Sequence, residues 1–128
     1  MPISDVTPYL TPRKLGRPVL TGSGLAGAFD ERAVDCPFVF EHGGAFMMMY
    51  IGFDGRGYQT GMARSTDLLN WEKLGTVLKR GEGHAWDREN AAGTWLLCEN
   101  DLDGPRTLKQ WQGRYWMAYH SYPGEGYE

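Results

Sequence analysis

The chain has 128 residues, of which 41% are hydrophobic and 13% aromatic, so it can form one small domain with a core and is not a disordered chain. The formal net charge of −3 excludes a basic protein of the nucleic-acid-binding kind. Lys79-Arg80, the nearest thing to a cationic cluster, is interpreted as a solvated turn. No apolar run approaches the ~20 residues that span a bilayer, so we expect no membrane partner.

The two cysteines, Cys36 and Cys98, are too few for a disulfide framework and lack the spacing of metal ligands. We interpret them as reduced thiols, with a disulfide as the alternative. The first ten residues have neither the charged nor the apolar region of a signal peptide, so we expect a cytoplasmic protein. Nothing in the sequence specifies a metal or another cofactor.

Residues 1–34 are predicted to be a loop-rich segment, because its prolines exclude a long helix. Residues 15–20 could form one short strand there. Residues 35–80 are predicted to form a four-stranded unit. We expect its strands at residues 37–41, 45–53, 58–65 and 71–78. Both faces of the second strand are apolar, so we expect it to be buried on both sides.

An internal repeat predicts a second unit, because residues 50–59 recur as residues 119–128. The residues that recur at this constant offset are Gly55, Gly57 and Tyr58, as Gly124, Gly126 and Tyr127. Residues 81–128 are therefore predicted to be a connecting segment, with an exposed loop at 88–90, followed by an incomplete second unit. Its strands are expected at residues 94–98, 107–112 and 114–122.

A repeated unit of four antiparallel strands is typical of a β-propeller blade. We therefore expect an all-β chain that forms about two blades of a partial propeller. One blade cannot cover its own apolar faces, and repeat architectures need about three or more units. Because the second copy stops at Glu128, we expect either missing C-terminal blades or self-association.

An Asp-x-Pro motif precedes a predicted strand in each unit. Asp35 and Asp103 begin these motifs, at nearly the same offset as the rest of the repeat. Inner strands line the channel of a propeller, so two carboxylates would face one pocket. Glycoside hydrolysis needs such a pair: one protonates the leaving oxygen, and the other activates water or attacks the sugar. The alternative is structural, because Asp before Pro also starts turns. The spacing alone leaves both interpretations open.

Residues 61–75, which read GMARSTDLLNWEKLG, resemble the Ala-x-Ser-x-Asp-Leu-x-x-Trp blade signature of the five-bladed β-propeller glycoside hydrolases. These are the glycoside hydrolase families 43, 32 and 130 and their relatives. The resemblance extends over about residues 30–128. It implies a partial five-bladed propeller with Asp35 as general base or nucleophile. It also implies that Asp103 stabilises the transition state or tunes the acid.

Both motifs differ from the family's Asp-Pro by one inserted residue. Asp30, Asp101 and Glu99 therefore stay alternatives for the two carboxylates. The family's general acid is a Glu on a later blade, which lies beyond the part of the pattern present here. We therefore expect these residues to form an incomplete active site.

Three ring-bearing side chains are candidates for contacts with a carbohydrate substrate. Trp86 lies in a polar loop and Trp95 in a predicted strand, and either could stack on a pyranose ring, although core packing is the commoner role. His120 takes the place of Ile51 in the repeat, and a polar residue at an apolar position suggests a pocket. The turn before Trp71 is interpreted as structural.

The sequence therefore predicts a glycoside hydrolase that acts through carboxylates on a carbohydrate and uses no cofactor. Two alternatives stay open. One is a carbohydrate-binding or interaction propeller without catalysis, and the other is an inactive truncated product. Neither nucleic acid nor a membrane is expected as a partner.

Overall fold

The computed structural model describes residues 6–7, 10–101 and 103–122. Six strands lie in this part of the chain: β1 (Ala33–His42), β2 (Ala45–Phe53), β3 (Tyr58–Ser65), β4 (Glu72–Leu78), β5 (Ala92–Leu96) and β6 (Met117–His120). These residues include no α-helix, and hence no helix that could cross a membrane. The all-β prediction is confirmed.

β1 to β4 form one antiparallel sheet in sequence order, as predicted for the first unit. Gly43 and Gly44 close the first hairpin with φ of 60° and 76°, which glycine adopts without strain. At the second hairpin the carboxylate of Asp54 accepts the N–H groups of Arg56 and Gly57 at 2.8 and 3.0 Å. β2 and β3 begin and end at the predicted residues.

The third turn confirms the structural interpretation of residues 65–71. Ser65 Oγ accepts the N–H of Asp67 at 3.1 Å, and Asp67 Oδ1 accepts the N–H of Asn70 at 2.8 Å. Hydrogen bonds from Asn70 hold the pKa of the Asp67 carboxyl well below its usual range. The indole N–H of Trp71 donates to the carbonyl of Leu68 at 3.0 Å. The turn thereby directs Trp71 onto the sheet.

The first sheet is apolar on both faces, because alternate residues of β2 point to opposite sides. On one face, Phe40 and Met49 pack with Leu96 of β5 in one buried cluster, and Met47, Met62 and, from β6, Met117 lie beside them. The other face is covered by residues 19–29 and the third turn, and its residues are Met48, Tyr50 and Ala63, with Val19, Leu20, Phe29 and Trp71 beside them. The predicted burial of β2 on both sides is confirmed.

Residues 10–32 are irregular chain, and Val19, Leu20 and Phe29 of this segment pack on the second of these faces. The short strand that could have formed at residues 15–20 is absent. A Cβ on Gly52 or Gly61 would approach ring atoms of Phe29 to 2.6 or 2.3 Å, so both glycines are needed for this segment to lie close to the sheet. Within the described residues, the chain before Ala33 contains no strand.

β5 and β6 form a separate antiparallel pair. Residues 97–116 lie between them, and the described part of this segment contributes isolated bridges only, at Glu41–Thr107, Cys98–Leu108 and Trp111–Arg114. The strand predicted at residues 107–112 is therefore wrong, and the one at 114–122 is reduced to β6. The repeated residues Gly124, Gly126 and Tyr127 lie outside the described part of the chain.

Buried polar side chains join the two sheets. Thr60 is fully buried, and its hydroxyl donates to the carbonyl of Ala91 at 2.8 Å and accepts the N–H of Gly93 at 2.7 Å. Asn90 is 6% exposed, and its side-chain oxygen accepts the N–H of Tyr58 at 3.0 Å. The predicted exposed loop at residues 88–90 is therefore wrong for Asn90, which fixes the start of β3 to the second unit.

Candidate functional site

Asp35 lies inside β1, at a break in strand pairing. It pairs with Ile51, whereas Phe38 pairs with Met49, so three steps along β1 match two along β2. This is a one-residue β-bulge. Cys36, within the bulge, has a φ of 47°, which residues with a side chain rarely adopt. Its N–H donates to Asp35 Oδ1 at 2.7 Å. The residue inserted between Asp and Pro is therefore accommodated as a bulge.

The Asp35 residue is exposed and borders a cavity of about 210 Å³. The other residues lining this cavity are Pro18, Val19, Leu20, Val34, Pro37, Met48 and Tyr50. The cavity is thus largely apolar, with one accessible carboxylate at its wall. The Cys36 thiol next to it is a poor nucleophile, because lost hydration and the charge of Asp35 raise the pKa of the thiol.

The second unit repeats this bulge without a carboxylate. Ala92 pairs with His120, which the repeat aligns with Ile51, and a register shift follows between Gly93 and Trp95. Ala92 therefore takes the place of Asp35. The sequence offset from Asp35 to Ala92 is shorter than the offset from Ile51 to His120. More residues therefore separate β5 from β6 than separate β1 from β2, and the second unit has an insertion between its two strands.

Asp103 lies in this insertion, not at the mouth of a strand. It is exposed, and its N–H donates to Asp101 Oδ1 at 3.1 Å. Asp101 thus supplies the turn-forming side chain. The expectation that Asp103 matches Asp35 by position is wrong, because the offset that relates β2 to β6 does not apply to the strands before them. A catalytic role for Asp103 stays a prediction.

Asp30 is buried and held in place by its neighbours. It is 2% exposed, Lys73 Nζ lies 2.5 Å from its Oδ2, and the Tyr50 hydroxyl donates to it at 3.2 Å. Burial alone would raise its pKa, but the hydrogen bonds from Lys73 and Ser23 hold it below its usual value. Burial and the Asp30 charge raise the pKa of Tyr50 well above its usual range. Asp30 is therefore a buried structural anion, shielded from solvent.

Of the remaining alternatives, Glu99 forms an exposed ion pair with Lys109, at 2.8 Å between Oε1 and Nζ. Such pairs contribute little to stability and leave the carboxylate in contact with water. Asp101 is exposed as well, and its carboxylate is bound to the turn.

Trp86 forms an exposed aromatic platform. The residue is 65% exposed, and its indole stacks on the Tyr119 ring with centroids 5.3 Å apart. The Tyr119 hydroxyl donates to Asp87 Oδ2 at 3.1 Å, and Ser121 Oγ donates to the Trp86 carbonyl at 3.5 Å. The Tyr119 ring therefore packs against one side of the Trp86 indole, and much of Trp86 stays exposed to solvent.

The other two predicted contact residues lie in the β5–β6 pair. Trp95 is 37% exposed on β5. His120, on β6, is half-buried and packs against Tyr122, with ring centroids 5.1 Å apart. Among the described residues, no hydrogen bond, ion pair or ring contact joins Asp35 to Trp86, Trp95 or His120. The structure thus brings Trp86 to the β6 strand that carries His120, and places Asp35 in the other sheet.

The described residues contain no cluster of three or more His, Cys, Asp or Glu side chains arranged to hold a metal ion. The two cysteines are not paired: Cys36 is exposed and Cys98 is buried.

A half-buried ion pair near the second hairpin has no counterpart in the sequence predictions. Arg80 Nη2 lies 2.6 Å from Asp54 Oδ2, and the two side chains are 14% and 17% exposed. Arg80 is therefore not a solvated turn residue. Burial would raise the pKa of Asp54, but hydrogen bonds from Arg80 and Gly57 hold it well below its usual range. The two residues are 26 apart in sequence, and no local pattern links them.

Two solved structures are similar to this chain. One is named "Glycoside hydrolase": it is 35% identical over 81% of this chain and 31% of its own, with a TM-score of 0.67. The other is named as a complex of BT0996 and RGII: it is 36% identical over 75% of this chain and 29% of its own, with a TM-score of 0.63. The fold of this chain is therefore glycoside hydrolase-like. The chain spans about three tenths of the length of each, by the same coverage figures.

No protein-family model and no curated protein matches the chain.

Proposed function

We propose that this chain supplies part of the active site of a glycoside hydrolase, within a five-bladed β-propeller of the family 43, 32 and 130 kind. The observation that carries the proposal is the likeness to a solved glycoside hydrolase at 35% identity. The four-stranded meander of β1 to β4 has the form of one blade, and β5–β6 starts the next.

Asp35 is the proposed general base or nucleophile of this reaction. It is exposed, it borders an open cavity, and it lies on a strand whose pairing fixes the backbone. Asp30 is buried, and Glu99 is paired with Lys109. Asp35 is thus the candidate on the first sheet with a carboxylate open to a ligand.

The proposed chemistry is hydrolysis of a glycosidic bond. Asp35 either takes a proton from the attacking water or attacks the anomeric carbon itself, and a second carboxylic acid protonates the leaving oxygen. None of the described residues is assigned as that acid. Asp103 is proposed to support the transition state from the exposed insertion between β5 and β6.

A carbohydrate is the proposed ligand, and the RGII named with one similar structure makes it the first compound to test. Trp86 is the proposed stacking surface, because its ring is exposed and supported by Tyr119. Trp95 and His120 are further proposed contacts. Trp86 also favours a second candidate function, carbohydrate binding without catalysis.

The test is hydrolysis by the full-length polypeptide that carries this sequence, measured on RGII and on a panel of aryl glycosides. We expect Asp35→Asn to lower kcat by about a thousandfold or more, because it removes a reacting group, with the fold unchanged by circular dichroism. Asp103→Asn is the matched variant in an exposed loop, and its smaller loss of kcat measures any support from that residue.

Retained turnover with lost thermal stability in Asp35→Asn would show that Asp35 has a structural role in the β1 bulge. If no substrate is hydrolysed but Trp86→Ala abolishes saccharide binding, the second candidate function is the correct one.

A further inference from the structure

We propose that Cys36 is a positioning residue whose bulge and backbone N–H hold the Asp35 carboxylate in its working orientation. The inference rests on the proposed role of Asp35 in hydrolysis.

The backbone of Cys36 is unusual for its place in the fold. Three described residues other than glycine have a positive φ: Cys36, Leu68 and Gln112. Leu68 and Gln112 lie in turns, where the chain must reverse. Cys36 instead lies inside β1, where an extended conformation would cost less. Strained backbone of this kind persists only where surrounding structure enforces it, and it concentrates at functional sites.

The pairing of β1 shows what enforces it. The three residues before the bulge pair with residues 51–53, and the residues after it pair with residues 45–49. Both blocks are fixed by apolar side chains, since Val34 packs on one face and Phe38 on the other. The extra residue must therefore be accommodated at Cys36 and Pro37.

The bulge gives Asp35 a hydrogen bond that a plain Asp-Pro cannot form. Proline has no N–H, so a residue inserted before Pro37 is needed to donate from this position. The backbone N–H of Cys36 donates to Oδ1 at 2.7 Å. Oδ1 is thereby fixed, and Oδ2 is left for water or sugar. A group held in this way loses less freedom when the substrate binds.

The thiol itself is not needed for this role. Lost hydration and the nearby Asp35 charge keep it protonated, and the bulge is a property of the backbone. Glycine should serve equally well at this position, because it adopts positive φ without strain. A β-branched residue should not preserve the bulge, because its side chain disfavours a positive φ.

The experiment compares three variants of residue 36 in the full-length polypeptide that carries this sequence. Cys36→Gly keeps the bulge, Cys36→Val opposes it, and deletion of Cys36 restores a plain Asp-Pro without the donor. We expect Cys36→Gly to stay within about twofold of the unchanged protein. The Val and deletion variants should lose about 10-fold to 100-fold in kcat with little change in KM.

Leu68→Val is the matched control, because Leu68 also has a positive φ, of 63°, in a turn away from Asp35. It should lower the melting temperature about as much as Cys36→Val and leave kcat unchanged. Equal loss of kcat in both Val variants, or full kcat in the deletion variant, would overturn the proposal. Inactivity of Asp35→Asn together with full activity of all Cys36 variants would reject the positioning role alone. Full activity of Asp35→Asn would reject the proposed function itself.

Discussion

The hydroxyl of Thr60 is expected to be the strongest single link between the two sheets. Thr60→Val keeps the shape of the side chain but leaves the carbonyl of Ala91 and the N–H of Gly93 buried without this partner. Each unsatisfied buried group costs about 1–3 kcal/mol, so for these two groups we expect a loss of about 2–6 kcal/mol in the free energy of unfolding. Because Thr60 is fully buried, water cannot replace the hydroxyl.

The measurement is urea denaturation followed by tryptophan fluorescence, with hydrogen exchange of the Gly93 amide as a local readout. Thr94→Val is the matched control, since the Thr94 hydroxyl also donates to a backbone carbonyl, that of Ala118 at 3.1 Å, but in an exposed position. We expect it to cost about 0–1 kcal/mol, because water can solvate that carbonyl. If both variants lose the same stability, the buried link has no special role. Unchanged exchange of the Gly93 amide in Thr60→Val would equally contradict a link through this hydroxyl.

Two ion pairs give further predictions. The depressed pKa of Asp54 means that its pairing with Arg80 stabilises the fold fully above the ordinary Asp pKa of 3.8, and that this stabilisation is lost as pH falls below it. Arg80→Gln should therefore flatten the fall in melting temperature between about pH 5 and pH 2, and an unchanged slope would contradict this. Lys73→Met should cost about 2–4 kcal/mol, because it leaves the Asp30 charge buried and unpaired. Adding Asp30→Asn to Lys73→Met should recover part of that loss in denaturant titrations, whereas a further loss would show that the charge is not the cause.

The first unit could be predicted from the sequence because its signals are local. β2 and β3 have the apolar runs of buried strands; Gly43 and Gly44 specify the first hairpin, and Asp54 with the glycines beside it specifies the second. The turn at residues 65–70 is likewise fixed by side chains that bond to backbone only two or three residues away.

The polar residues that join the units could not be found in this way. Asn90 lies in a stretch rich in charge, which usually means a solvated loop, and yet it is 6% exposed. Its partners Tyr58 and Tyr122 are each 32 residues away. Arg80 likewise finds Asp54 across 26 residues. Nothing in the local pattern separates such a buried polar residue from an exposed one, because the difference arises only when distant segments pack.

The sequence repeat correctly predicted a strand at β6 but assigned the wrong residue as the counterpart of Asp35. The offset that relates residues 50–59 to residues 119–128 also aligns β2 with β6, but β1 and β5 lie closer together in sequence. Insertions are tolerated in the connection between paired strands, because lengthening a loop costs little free energy. The second Asp-x-Pro, at Asp103, lies at about the sequence offset of the repeat, but it does not occupy the position in the sheet that Asp35 occupies. Equivalent positions in repeated β units should therefore be assigned by strand register, and by that criterion Ala92 corresponds to Asp35. The first sheet then contributes a carboxylate to its bulge and the second does not. If hydrolysis needs two carboxylates, the partner of Asp35 has to come from a position that the repeat does not generate.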